Sequence, residues 1–101
     1  MKKRMTAAAV WMSAMVTPAL AQVPPPDEGR LLASGCFQCH GTNGRGGFDA
    51  LAGESAAELL KKLSEMRVES ARKDIMNPHA RGYTSYQLQL IANYFARQPK
   101  P

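Results

Sequence analysis

Cys36-Phe37-Gln38-Cys39-His40 is the stretch that decides the architecture of this chain. Two thiols three residues apart, followed at once by an imidazole, have the spacing by which a porphyrin is attached covalently. The motif predicts one haem c, bound through thioethers to Cys36 and Cys39, with His40 as the proximal iron ligand. The alternatives fit less well. A thioredoxin-like pair needs a βαβ setting, and no strand pattern is present. A zinc site needs four ligands, but Cys36, Cys39, His40 and His79 are the only Cys and His residues of the sequence, and Cys39 and His40 are adjacent.

The ligand on the other side of the iron has three candidates, Met66, Met76 and His79. Met66 falls in a helical stretch, where its apolar spacing favours core packing. Met76 falls in a segment, residues 74–78, that we expect to be irregular, because Pro78 lacks an N–H and biases the residue before it away from helix. We predict Met76 as the distal ligand, since Met/His ligation is a standard arrangement in cytochromes c. His79 stays open as a rival that would give a bis-His iron with a lower potential.

The N-terminus has the composition of an export signal. A basic head at residues 1–4 precedes an uncharged run at 6–20, and Ala19 and Ala21 place small residues at the two positions that a signal peptidase reads. We predict a signal peptide over residues 1–21, cleaved after Ala21, and a periplasmic location. A retained membrane anchor is disfavoured because the apolar run is shorter than the about 20 residues of a spanning helix and contains Pro18. No membrane span is expected after cleavage. Residues 22–28 would form an extended Pro-rich leader, and residues 29–101 the cytochrome domain.

Cleavage changes the size and charge of the working protein. It leaves 80 of the 101 residues, and with Lys2, Lys3 and Arg4 gone, 10 basic residues face eight acidic ones, so the net charge falls from +5 to +2. No basic run with interleaved aromatics survives, so no nucleic-acid partner is expected. A domain this small has little hydrophobic core of its own. A disulfide between its two cysteines would close only a very short loop and would stabilise the fold little. A bound group at the centre is therefore expected.

Helix signals divide the rest of the chain into three main helices. Asp27 and Glu28 bring negative charge to the start of the first. Capping boxes at residues 55–58 and 84–87 open the second, to about Ser70, and the third, to about Arg97. Apolar residues recur at helical spacing in the last two: Leu59, Leu60, Leu63 and Met66, then Leu88, Ile91, Ala92 and Phe95. No strand pattern appears, so the predicted fold is all-α, one domain wrapped around the haem. The last helix should cross the first and wall one side of the haem site.

Taken together, these residues resemble the class I monohaem cytochromes c, in particular the cytochrome subunit of flavocytochrome c sulfide dehydrogenase. The matching features are Cys36-Phe37-Gln38-Cys39-His40-Gly41, Leu51-Ala52-Gly53, Ile75-Met76, Ala80-Arg81-Gly82-Tyr83-Thr84 and Ile91-Ala92-Asn93-Tyr94-Phe95-Ala96. The resemblance implies the class I cytochrome c fold, thioethers at Cys36 and Cys39, and iron ligation by His40 and Met76. Many of these cytochromes orient the proximal histidine with a proline carbonyl. No proline occurs here between His40 and Pro78, so the acceptor stays open.

The resemblance also implies a function, the carriage of single electrons in the periplasm. The protein would be the non-catalytic haem subunit docked on an FAD-containing, sulfide-oxidising flavoprotein, and would pass electrons to a soluble acceptor such as another cytochrome c. Two alternatives stay open. One is a free periplasmic shuttle, and the other is a haem sensor or enzyme with an open distal site, which would require Met76 to be absent from the iron.

Overall fold

Five α-helices and two short 3-10 turns make up the regular structure of residues 2–15 and 27–101, the part of the chain that the computed structural model describes. The helices are α1 (Glu28–Ala33), α2 (Phe37–His40), α3 (Ala56–Val68), α4 (Met76–Arg81) and α5 (Ser85–Ala96), and the 3-10 turns are Ser34–Cys36 and Thr42–Gly44. No strand occurs in these residues. The all-α prediction is therefore confirmed, with α1, α3 and α5 in the places expected of the three main helices.

The N-terminal predictions fall only partly on described residues. The cleavage point after Ala21 and residues 22–26 of the leader lie outside them, and Glu28, the last residue assigned to the leader, already belongs to α1. Within residues 2–15 and 27–101, no helix is both long and apolar enough to cross a bilayer.

Helix α1 packs against α5, and the two helices are linked by a salt bridge at one end. The Asp27 side chain caps α1 by accepting from the backbone N–H of Gly29 at 3.0 Å, and its second oxygen meets the Arg97 guanidinium at 3.0 Å. The helices approach so closely that a Cβ on Gly29 would lie 2.8 Å from the backbone oxygen of Leu90. Ala33 is fully buried in this contact region. Small residues on α1 therefore allow it to pack directly on the backbone of α5.

Helices α3 and α5 begin at the capping residues that the sequence indicated. Ser55 accepts from the N–H of Glu58 at 3.4 Å, and Thr84 and Gln87 form a complete capping box. Helix α3 ends at Val68, two residues before the predicted end. The predicted stripe of α5 is buried, namely Leu88, Ile91, Ala92 and Phe95.

The prediction that residues 74–78 are irregular is wrong for the part that carries Met76, because α4 begins at that residue. Pro78 occupies the third position of the helix, inside the first turn, where a missing N–H removes no intrahelical bond. The Asp74 side chain accepts from the N–H of Met76 at 2.8 Å and satisfies one of the free donors of that turn. Met76 is therefore held on a short helix rather than on a loop.

Helix α4 is anchored to the C-terminal end of α3 by two side chains. Asn77 is 1% exposed and donates from its amide to the Ser70 carbonyl at 2.8 Å. The Arg81 guanidinium donates to the carbonyls of Arg67 at 3.2 Å and Glu69 at 2.5 Å. A cation at the end of a helix also interacts favourably with its dipole. The position of Met76 thus depends on bonds that its own helix makes to α3.

We expect Asn77→Ala to lower the free energy of unfolding by about 1–3 kcal/mol, because the buried side chain of Asn77 and its hydrogen bond to the Ser70 carbonyl are lost together. Asn93→Ala is the matched control. Asn93 is half-buried on α5 and bonds to the Gln89 side chain one turn away, so its change should stay within about 0.5 kcal/mol. Guanidinium unfolding of the haem-loaded protein measures both. Equal losses in the two variants would contradict the anchoring role of Asn77.

Candidate haem-binding site

A cleft lies between the motif at residues 36–40 and helices α3, α4 and α5. It has two adjoining lobes, with volumes of about 40 Å³ and 260 Å³. Five residues line both lobes, so we treat the lobes as one central cleft: Cys36, His40, Leu63, Met76 and Ile91. The walls also include Leu88 of α5 in the smaller lobe and Phe95 in the larger. Helix α5 therefore forms one wall of the cleft, as predicted.

The two cysteines of the motif line this cleft, Cys36 from the end of the 3-10 turn and Cys39 from α2. Both thiols are free, with Cys36 half-buried and Cys39 exposed. Burial, with a smaller contribution from Cys39, raises the pKa of the Cys36 thiol above its ordinary value. Two free thiols at this spacing can form two thioethers to one porphyrin.

The ring of His40 is oriented by a main-chain carbonyl nine residues further along the chain. Its Nδ1 lies 2.6 Å from the carbonyl oxygen of Asp49. Since a carbonyl only accepts, Nδ1 must carry the proton and donate, which leaves the lone pair of Nε2 free for a metal. Asp49 therefore supplies the acceptor that no proline supplies here. This acceptor could not be predicted from the sequence, because any residue can supply a backbone carbonyl.

On the α4 side, the structure brings both Met76 and His79 to the cleft. Met76 is half-buried and lines both lobes, whereas His79, one turn later on α4, is exposed and lines the smaller lobe. Met66 is half-buried on α3 and lines the larger lobe. Of the three candidates, Met76 shares both lobes with His40, which favours it as the partner ligand.

Tyr83 is a residue of the cleft to which sequence reasoning assigned no role. It lines the smaller lobe beside Cys36, and its hydroxyl donates to the Leu32 carbonyl at 3.4 Å. Burial, and secondarily Cys36, raises the pKa of the Tyr83 hydroxyl. The phenol therefore stays neutral and links the segment after α4 to α1. The signal that could have found it was its place in the Gly82-Tyr83-Thr84 match to the family.

The donor set and the walls fit a c-type haem. Free thiols, an imidazole with one nitrogen already donating, and a thioether meet at one cleft whose other walls are largely apolar. Behind the motif, Phe37 packs on α5, with its ring centroid 6.2 Å from that of Phe95 and 6.4 Å from that of Tyr94. The segment that carries the two thiols is thus fixed to the core through Phe37.

Comparison with known proteins agrees with this site. The cytochrome subunit of sulfide dehydrogenase from Chlorobaculum tepidum is 32% identical over 75 residues, which cover 72% of this chain and 68% of that protein. Cytochrome c4 from Thiocapsa roseopersicina is 33% identical over 86 residues, which cover 81% of this chain but 44% of that protein. No protein-family model matches the chain. With these relatives, an all-α fold and a Cys-x-x-Cys-His motif at its central cleft, the chain belongs to the class I cytochromes c and is similar to the cytochrome subunit of sulfide dehydrogenase.

Proposed function

We propose that this protein is a periplasmic, single-haem electron carrier that serves as the electron-accepting subunit of a sulfide-oxidising flavoprotein complex. The observation that carries the proposal is the meeting of Cys36, Cys39, His40 and Met76 at one apolar-walled cleft. A haem bound there supplies an iron that alternates between the ferrous and ferric states, one electron at a time.

The residues of the cleft have separate tasks. Cys36 and Cys39 would hold the group covalently, so that it is not lost between electron transfers. His40 would bind the iron through Nε2, and the bond from Nδ1 to Asp49 sets the orientation of its ring. Met76 would supply the second protein ligand, and a thioether ligand favours ferrous iron and raises the potential. Two protein ligands would leave no site on the iron for an external ligand, which favours electron transfer over a sensor.

The electron donor is inferred from the relative in Chlorobaculum tepidum, whose name assigns it to sulfide dehydrogenase. By this analogy an FAD-containing subunit oxidises sulfide and hands electrons singly to the haem of this chain, which passes them to a soluble acceptor such as another cytochrome c. None of the residues described at the cleft is given a role in the sulfur chemistry. Export by residues 1–21 would bring the chain to the periplasm, and the described part of that segment, residues 2–15, is exposed and has no helix or strand.

Replacing the distal ligand should change the absorption spectrum in a way that identifies it. In Met76→Ala the methionine–iron charge-transfer band of the oxidised protein should disappear and the reduction potential should fall, because the thioether that favours ferrous iron is gone. His79→Ala and Met66→Leu are the controls, since both residues also line the cleft, and each should keep the band. A band that survives in Met76→Ala, or that is lost in His79→Ala, would disprove the assignment.

The partner can be tested by purifying the protein from the periplasm of its native cells. We expect it to co-purify with an FAD-containing protein in a one-to-one ratio, and we expect sulfide to reduce its haem rapidly only when that protein is present. The isolated cytochrome mixed with sulfide is the control. A monomeric cytochrome with no flavin would contradict the subunit assignment and indicate the free shuttle instead.

A further inference from the structure

We propose that Gly47 is a positioning residue for the iron ligand His40, and that it sets the reduction potential through the Asp49 carbonyl. The proposal rests on the proposed ligation of a haem by His40. It concerns a different part of the chain, the glycine-rich loop that follows the motif, in which no residue has so far been given a role other than that of Asp49.

The loop folds back on α2 through two backbone hydrogen bonds that flank Gly47. The N–H of Gly46 donates to the His40 carbonyl at 3.0 Å, and the N–H of Phe48 donates to the Cys39 carbonyl at 2.9 Å. These bonds place residues 46–48 directly against the end of the haem motif. Asp49, the next residue, is thereby brought to the ring of His40.

Only glycine fits at position 47 in this arrangement. Its φ is +72°, a conformation that residues with a side chain rarely adopt. A Cβ built there would overlap the Cys39 carbonyl oxygen and would lie 2.7 Å from the Cys39 carbonyl carbon and 3.0 Å from the Cα of His40. These are backbone atoms that cannot rotate away. A side chain at position 47 must therefore push the loop off α2.

Displacement of the loop would act on the iron through the imidazole. The Cys39 carbonyl, which a side chain at position 47 would meet, also accepts a hydrogen bond from the N–H of Phe48. The clash therefore breaks the bond from Phe48 and displaces Asp49, the next residue. A short bond from Nδ1 makes the imidazole a more basic ligand, which stabilises ferric iron. Lengthening the 2.6 Å contact from His40 to Asp49 removes part of that stabilisation. The reduction potential should then rise.

This device replaces the proline that orients the histidine in many class I cytochromes. No proline lies between His40 and Pro78, so no pyrrolidine ring restricts the backbone that presents the carbonyl. The backbone of residues 46–49 is restricted instead by the close contact between this loop and α2.

The test compares two alanine substitutions at adjacent glycines in the haem-loaded protein. Gly47→Ala should raise the reduction potential and move the Nδ1–H proton resonance of His40 upfield, as expected for a longer hydrogen bond. Gly46→Ala is the matched control, because its φ is not in the positive region and a Cβ there meets no atom within 4 Å. It should leave both observables unchanged. Asp49→Asn, which keeps the carbonyl, should leave the Nδ1–H resonance in place.

A Gly47→Ala protein with the wild-type potential and the wild-type Nδ1–H resonance would overturn the proposal. If Gly47→Ala fails to retain haem, the wild-type protein is tested by NMR instead. The proposal then requires a scalar coupling across the hydrogen bond between Nδ1 of His40 and the carbonyl carbon of Asp49. The absence of that coupling would overturn the proposal. Failure of the proposed function looks different, since the wild-type spectrum would then lack histidine–methionine ligation altogether.

Discussion

The central cleft is the constraint on which the rest of the structure depends. The folded part of the chain buries few large side chains completely, and the largest of them are Phe95, Leu88, Ile91 and Asn77. Helices α3 and α5 turn apolar residues toward the cleft as well as toward each other. A domain of this size rarely folds stably without an additional element at its centre. A group that fills the cleft therefore completes the core, and its binding adds directly to the stability of the fold.

The two sides of the cleft are built by different means. On the proximal side, His40 belongs to the attachment motif, and the loop that folds back at Gly46 and Phe48 orients its ring. On the distal side, Met76 starts a short helix that is anchored to α3 by hydrogen bonds from Asn77 and Arg81 to main-chain carbonyls. His40, the proposed proximal ligand, is thus positioned by local backbone geometry, and Met76, the proposed distal ligand, by the bonds between α4 and α3.

Local signals predicted most of the fold and part of the candidate site. The Ser55 and Thr84 caps marked where α3 and α5 begin, and the motif indicated the two cysteines and His40, which line the central cleft. Contacts distant in sequence could not be predicted. Pro78 indicated an irregular segment, yet its place in the first turn of α4 is compatible with a helix once the side chain of Asn77 is bonded to Ser70. The role of the Asp49 carbonyl could not be predicted either, because every residue carries a backbone carbonyl.

The most direct test of the account is an NMR spectrum of the reduced, haem-loaded protein labelled at its methionine methyl groups. After export at the predicted site, Met66 and Met76 are the methionines that remain. When the sulfur of a methionine binds the iron, its methyl group lies over the porphyrin, and the porphyrin ring current shifts the methyl resonance strongly upfield. We expect one such methyl, and we expect it to belong to Met76. Two unshifted methyl resonances, or an upfield methyl that belongs to Met66, would contradict it.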